Sequence, residues 1–221
     1  MNKPHQHLNS SRLFLIGNLS IFMIGLGFAV RANIAADLQA DIFDILDVAN
    51  SAAMVGEALG ITFTGFALTL LFGSALVDII GMRAMLLLSA AGYVLGSVLV
   101  LTAAWLPVAA FSYWLVLLGL LLTGLGWGAV EAASNPLIAA LYPEEKTHRL
   151  NILHAWWPAG IVVGGLSGVA MGALGLSWQL NLLLLIVPGV VMALLVIGTD
   201  FPVTERVASG VTYPEMFGEL K

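Results

Sequence analysis

The 221-residue chain is 60% hydrophobic and only 10% charged, with mean hydropathy +0.99, whereas about a quarter of the residues in an ordinary soluble domain are charged. A formal net charge of −5 and the lack of any basic patch exclude nucleic acid as a partner. With no cysteine, disulfides, thiolate metal sites and cysteine nucleophiles are excluded, so carboxylates, histidines and amides must supply any chemistry; no metal site and no cofactor are expected.

Met1 to Arg12 is polar and predicts a short tail at residues 1–12, and the apolar run after it reads as a first membrane span, not a cleaved signal peptide. A hydrocarbon core about 30 Å thick takes about 20 apolar residues at helical rise. Six runs of that kind occur, at roughly 13–36, 53–77, 83–105, 109–141, 150–174 and 178–199. Each must be helical, because lipid offers the backbone no other hydrogen-bond partner. The predicted fold is therefore all-α, a polytopic membrane protein whose six-helix bundle occupies residues 13–200. The fourth run, about 32 residues, exceeds what a span requires and carries Asn135-Pro136 near one end, where proline kinks a helix. Residues 201–221, with Pro202, Gly210 and Pro214, predict a tail or the start of a central loop.

Lys3, Arg12, Arg83, Lys146, Arg149, Arg206 and Lys221 all fall in the tails and even-numbered loops. The odd-numbered loops hold no Lys or Arg, and the first is acidic, with Asp37, Asp41, Asp44 and Asp47. Cytoplasmic loops concentrate Lys and Arg, so both termini are expected in the cytoplasm and the chain in the plasma (inner) membrane, surrounded by lipid.

Ionisable groups within a span cost some kcal/mol, about 2.5–3.5 on insertion scales, and so mark candidate functional positions. Four stand out: Arg31, Glu57, Glu131 and His154. Arg31 and Glu57 sit at similar depth on consecutive spans, which fits either a structural ion pair at the outer mouth or substrate contact. Glu131 lies deeper, with no evident cationic partner. Gly124, Gly128, Glu131 and Asn135 share one helical face, which suits a polar cavity. A proton-coupling or substrate-binding role for Glu131 stands against that of a buried structural acid. His154 falls within one or two helical turns of Glu131 in depth, either to exchange a proton with it or to sit at the interface. Trp156 and Trp157 beside it form either a stacking wall for a sugar-like ligand or part of the interfacial aromatic belt. Gly160, Gly164, Gly168 and Gly172 make a small-residue stripe for helix packing, or a surface that slides during gating. Gly165-Leu166-Ser167-Gly168 matches a serine-protease pattern, but every histidine precedes the serine, so no intramembrane enzyme is expected.

Six spans divide into two groups of three, as in transporters built from inverted repeats. The first helix of each group carries a charge with an amide nearby: Arg31 with Asn33, and Glu131 with Asn135. Between spans two and three, Asp78-Ile79-Ile80-Gly81-Met82-Arg83 resembles the loop signature G-x-x-x-D-R/K-x-G-x-R/K of the major facilitator superfamily, departing from it at Ser74 and Ile79. Glu131-Ala-Ala-Ser-Asn135-Pro136, followed by Arg149-Leu150-Asn151, His154 and Gly160-x-x-x-Gly164, resembles the fourth and fifth spans of the fucose permease branch of proton-coupled sugar symporters. A glutamine is common there in place of His154.

That resemblance implies half of a major facilitator fold with a 3+3 inverted repeat. It also implies a secondary transporter in which Glu131, the acid before the Asn-Pro pair, handles proton and sugar; with the placement of the polar residues, Glu131, Asn135, His154, Arg31, Asn33, Glu57 and Trp156 are expected on the substrate or proton pathway. Asp78, Gly81, Arg83 and Arg149 would form a gating loop. The implied partners are a sugar-like small molecule, protons, and a second six-helix half or homodimer mate, since the family has twelve spans. The competing expectation is a non-transporting membrane scaffold or inactive fragment.

Overall fold

The computed structural model describes residues 8–212, 214 and 215; the predicted tail charges Lys3 and Lys221 lie outside the described residues. Helix α1, Ser10–Asn33, opens with Asn9 as its cap, whose side-chain oxygen accepts from the Arg12 amide at 3.0 Å. The acidic loop is itself helical: α2 (Ala35–Leu38), a π-turn (Gln39–Phe43) and α3 (Asp44–Asp47) bury Leu38, Ile42 and Phe43 and leave their carboxylates outward. Trp178 ties this cap to the bundle by donating its indole N–H to Asp41 at 2.7 Å.

Spans two and three form α4, Ser51–Trp105, a helical run whose direction changes at one residue, Gly81, at φ 85° and ψ 157°. The loop expected there is thus a single glycine, because a side chain at that φ would be strained. Then come α5 (Ala110–Leu141), which contains Pro136, and α6 (Lys146–Ala173), which contains Pro158. A 3₁₀ segment, Trp178–Leu182, leads into α7, Leu183–Ile197, and α8, Glu205–Ser209, lies beyond it. Six of the described helical stretches are long and apolar enough to cross a membrane; with α4 divided at Gly81, their boundaries fall within a few residues of those expected. Below, spans 1 to 6 are α1, residues 51–80 and 82–105 of α4, α5, α6, and the 3₁₀ segment with α7.

The packing carries the inverted repeat. Span 1 lies against span 5 and span 4 against span 2, which are the same contact when the two groups of three are exchanged. Both seams depend on glycine. A Cβ on Gly160 would stand 2.1 Å from the Phe22 carbonyl oxygen, and one on Gly124 would stand 2.0 Å from that of Thr62. Gly160, Gly164 and Gly168 all meet span 1, so most of the predicted stripe packs helices, whereas Gly172 faces open space. Gly124 and Gly128 meet the span 2 backbone; the face they share with Glu131 is closed there and opens only farther along.

Leu13, Ile16, Met85, Leu86, Tyr93, Val130 and Met192 form the dry centre of the bundle. Burial is uneven. In the most apolar stretch of span 1, 67% of residues are buried, against 17% in spans 2 and 5, so those two turn their apolar surfaces outward.

Candidate functional site

Glu131 and Asn135 stand one turn apart on α5, just before Pro136. Proline has no N–H, so the Ala132 carbonyl four residues before it loses its backbone partner. Asn135 Nδ2 donates to the Glu131 carbonyl at 3.2 Å and to its carboxylate Oε2 at 3.1 Å. On antiparallel α6, His154 Nε2 lies 3.0 Å from Asn135 Oδ1. An amide oxygen only accepts, so this contact requires Nε2 to carry the proton. The result is a chain in which His154 donates to Asn135 and Asn135 donates to Glu131.

The structure brings together these three predicted residues but sets an amide between the two titratable ones. Direct proton exchange between Glu131 and His154 is not made by this contact; Asn135 aligns both groups instead. Glu131 is partly buried and His154 exposed, so the chain runs from the bundle towards its open face. Among the described residues no Lys or Arg pairs with Glu131. Tyr93 of span 3 is fully buried, and its hydroxyl has no hydrogen-bond partner among the described residues. Sequence reasoning missed Tyr93, since a tyrosine within an apolar run gives no signal of its own.

Arg31 and Glu57 do not pair. Arg31 turns inward, 7% exposed, and donates from Nη1 to the Leu59 carbonyl at 2.8 Å. Its guanidinium lies 4.3 Å from the Phe63 ring centroid and 5.2 Å from those of Phe28 and Trp127, in favourable cation–π range. Glu57 is exposed and accepts a hydrogen bond from the Tyr113 hydroxyl of span 4. The ion-pair expectation is therefore corrected: similar depth did not mean a shared direction. Asn33, expected beside Arg31, instead bonds the Gly164 carbonyl at 3.0 Å and Asn181 at 3.3 Å, joining spans 1, 5 and 6. Trp156 is 43% exposed and meets Phe22 edge-on at 6.2 Å.

At the end of the bundle where α1 begins and α7 ends, the residues of the loop signature grip the end of span 6 and the segment after it. Asp78 accepts from Arg206 Nε at 2.5 Å and from the Thr204 hydroxyl at 2.5 Å, and Arg83 donates to the Ile197 carbonyl. Glu205, next to Arg206, pairs with Lys146 at the start of α6 at 2.5 Å. Helix α8 is thereby held to the 2–3 and 4–5 connections by consecutive residues of opposite charge. Arg149 takes no part in this clasp; it pairs with Glu145 at 2.8 Å and lies 4.6 Å over the Tyr142 ring. The role of Thr204, Arg206 and Lys146 was not legible before their partners were in view.

Comparisons with known proteins agree with this architecture. A structure described as the major facilitator superfamily proton:xylose symporter XylE bound to 6-bromo-6-deoxy-D-glucose aligns with a TM-score of 0.79 over 96% of this chain and 49% of its own, at 14% identity. The inward-open xylose transporter XylE from E. coli aligns with a TM-score of 0.70 over 89% of this chain and 49% of its own, at 16% identity. The chain thus spans about half the length of these solved structures. No curated protein matches by sequence. The family profile described as Major Facilitator Superfamily matches residues 13–216, nearly the whole chain, and with the six-span inverted repeat this establishes that the chain belongs to the Major Facilitator Superfamily.

Proposed function

We propose that this chain forms the N-terminal half of a proton-coupled permease for a sugar or similar small solute. The observation that carries the reading is the chain His154–Asn135–Glu131, an intramembrane carboxylate held by an amide at the open face of the bundle with no cation among the described residues paired to it. An acid placed in this way can take up a proton on one side of the membrane and lose it on the other, while the amide and imidazole offer hydrogen bonds of the kind that hydroxyl-rich solutes accept. The description of XylE as a proton:xylose symporter supports that class of solute and of coupling ion.

Spans 2 and 5 would meet the second half, either a separate six-span chain, further sequence or a homodimer mate, since both are left largely uncovered. The side on which Lys and Arg gather supports cytoplasmic termini in a plasma-membrane protein, which would put the clasp of Asp78, Arg206, Glu205 and Lys146 on the inner face. Clasping and releasing there would accompany alternating access.

The experiment is uptake of labelled sugars into proteoliposomes under an imposed proton gradient, with this chain alone and with a six-span partner. The expected result is uptake with the partner, or with the chain alone if it dimerises. Loss of gradient-driven uptake in Glu131→Gln is also expected. Unchanged proton-coupled uptake in that variant would remove the assigned mechanism. Absence of uptake in every combination would favour a scaffold.

A further inference from the structure

The Arg31 guanidinium has five N–H donors, of which the structure engages one, on Leu59. It is buried, and among the described residues no carboxylate pairs with it. Beside it lies a cavity of about 10 Å³, lined by Arg31, Thr62, Ser97, Thr123 and Trp127 together with apolar side chains that include Leu182 and Leu185. Polar residues thus converge from each of spans 1 to 4, and of these the Thr123 hydroxyl already donates to the Gly119 carbonyl at 3.0 Å. Thr62, Ser97 and Trp127 are 0%, 1% and 2% exposed, and Thr62 Oγ1, Ser97 Oγ and Trp127 Nε1 each lack a hydrogen-bond partner. Buried polar groups are rarely left so, and each such group costs about 1–3 kcal/mol.

We propose that this cavity binds one small monovalent anion of the halide class, held by the Arg31 guanidinium, the Trp127 indole N–H and the Thr62 and Ser97 hydroxyls. The donor set decides against a neutral occupant. The indole N–H can only donate, the guanidinium can only donate, and both hydroxyls can turn their protons inward. An anion accepts all four and offsets a buried positive charge. A water would accept two of them and leave only the aromatic rings of Phe28, Phe63 and Trp127 to offset the charge. The volume is about the least that holds one water, so a halide enters only as the lining side chains shift by a few tenths of an ångström, and sulfate, phosphate or a substrate carboxylate is excluded. The site lies within one bundle, so it does not depend on the sugar reading.

The test uses the full chain in lipid nanodiscs. Thermal unfolding is followed in sodium chloride, sodium bromide and sodium gluconate at equal ionic strength. Expected is a saturable rise in Tm with chloride and bromide that gluconate does not give. Arg31→Gln should abolish it, and Thr62→Val or Ser97→Ala should weaken apparent halide affinity about tenfold, the loss of one hydrogen bond to a charged group. A response identical in all three salts, or one retained in Arg31→Gln, overturns the proposal. Because Arg31→Gln is liable to misfold, the unmodified chain is also crystallised in bromide. An anomalous peak among the four residues supports the site, and density for water alone overturns it.

Discussion

The link from His154 through Asn135 to Glu131 makes a specific energetic prediction. Asn135→Ala removes two contacts within α5, to the Glu131 carbonyl at 3.2 Å and its carboxylate at 3.1 Å, and one between α5 and α6, to His154 at 3.0 Å. A hydrogen bond to a charged group contributes about 1.5–3 kcal/mol in soluble proteins, but interhelical polar contacts in membranes average about 0.6 kcal/mol, because alternative partners remain available there. The variant should therefore lose about 1–2 kcal/mol of stability, mostly from the Glu131 side. His154→Ala alone should lose about 0.6 kcal/mol, and in the Asn135→Ala background almost nothing further, a coupling of about 0.6 kcal/mol between the two sites. Reversible unfolding of the four proteins in mixed micelles measures this cycle. Additivity within about 0.2 kcal/mol would refute the argument, since it would mean that the His154 imidazole does not donate to Asn135 in the folded bundle.

The glycine seams give a sharp contrast: Gly124→Leu and Gly160→Leu push carbon into backbone carbonyls and should cost 3 kcal/mol or more, at the high end for overpacking. Gly165→Ala, which meets nothing within 4 Å, should be neutral or stabilising by up to about 1 kcal/mol, read by the same unfolding assay. Arg206→Ala removes the guanidinium 2.5 Å from the buried Asp78 carboxylate and should release α8, seen as faster proteolysis and hydrogen exchange across residues 200–210. At the opposite end, the Asn50 side-chain N–H donates to Asp47 and holds its carboxyl below the ordinary value. A carboxyl depressed on folding stabilises its turn fully above its unfolded value, about 3.9, and loses that contribution as pH falls through the lower folded value. Exchange of the Ala49 amide, bonded to the same carboxylate at 3.1 Å, should therefore be insensitive to loss of this turn from pH 5 to 8, beyond its intrinsic pH dependence.

Lipid makes some features legible in a sequence and conceals others. The six spans could be read because the bilayer demands long apolar helices, and the family because the loop residues Asp78, Gly81 and Arg83 keep their spacing. Depth along the membrane normal could be read as well, since each residue advances a helix by 1.5 Å. That single coordinate found Glu131, Asn135 and His154 together. It failed for Arg31 and Glu57, which have similar depth but opposite directions: one lies under Phe63 and Trp127, the other faces Tyr113.

Direction around a helix is set by which neighbour packs where, and here that is decided by glycines. A seam such as Gly124 on Thr62 brings spans 4 and 2 so close that their backbones fix each other's rotation. The pairing of span 4 with span 2 and span 1 with span 5 then sends Trp127 and Arg31 into the bundle and leaves Glu131 at the edge where the seam opens. The same small residues that read as featureless in an apolar run thus determine which polar residues are enclosed and which stay within reach of a solute. In this fold the packing residues and the functional residues cannot be assigned independently.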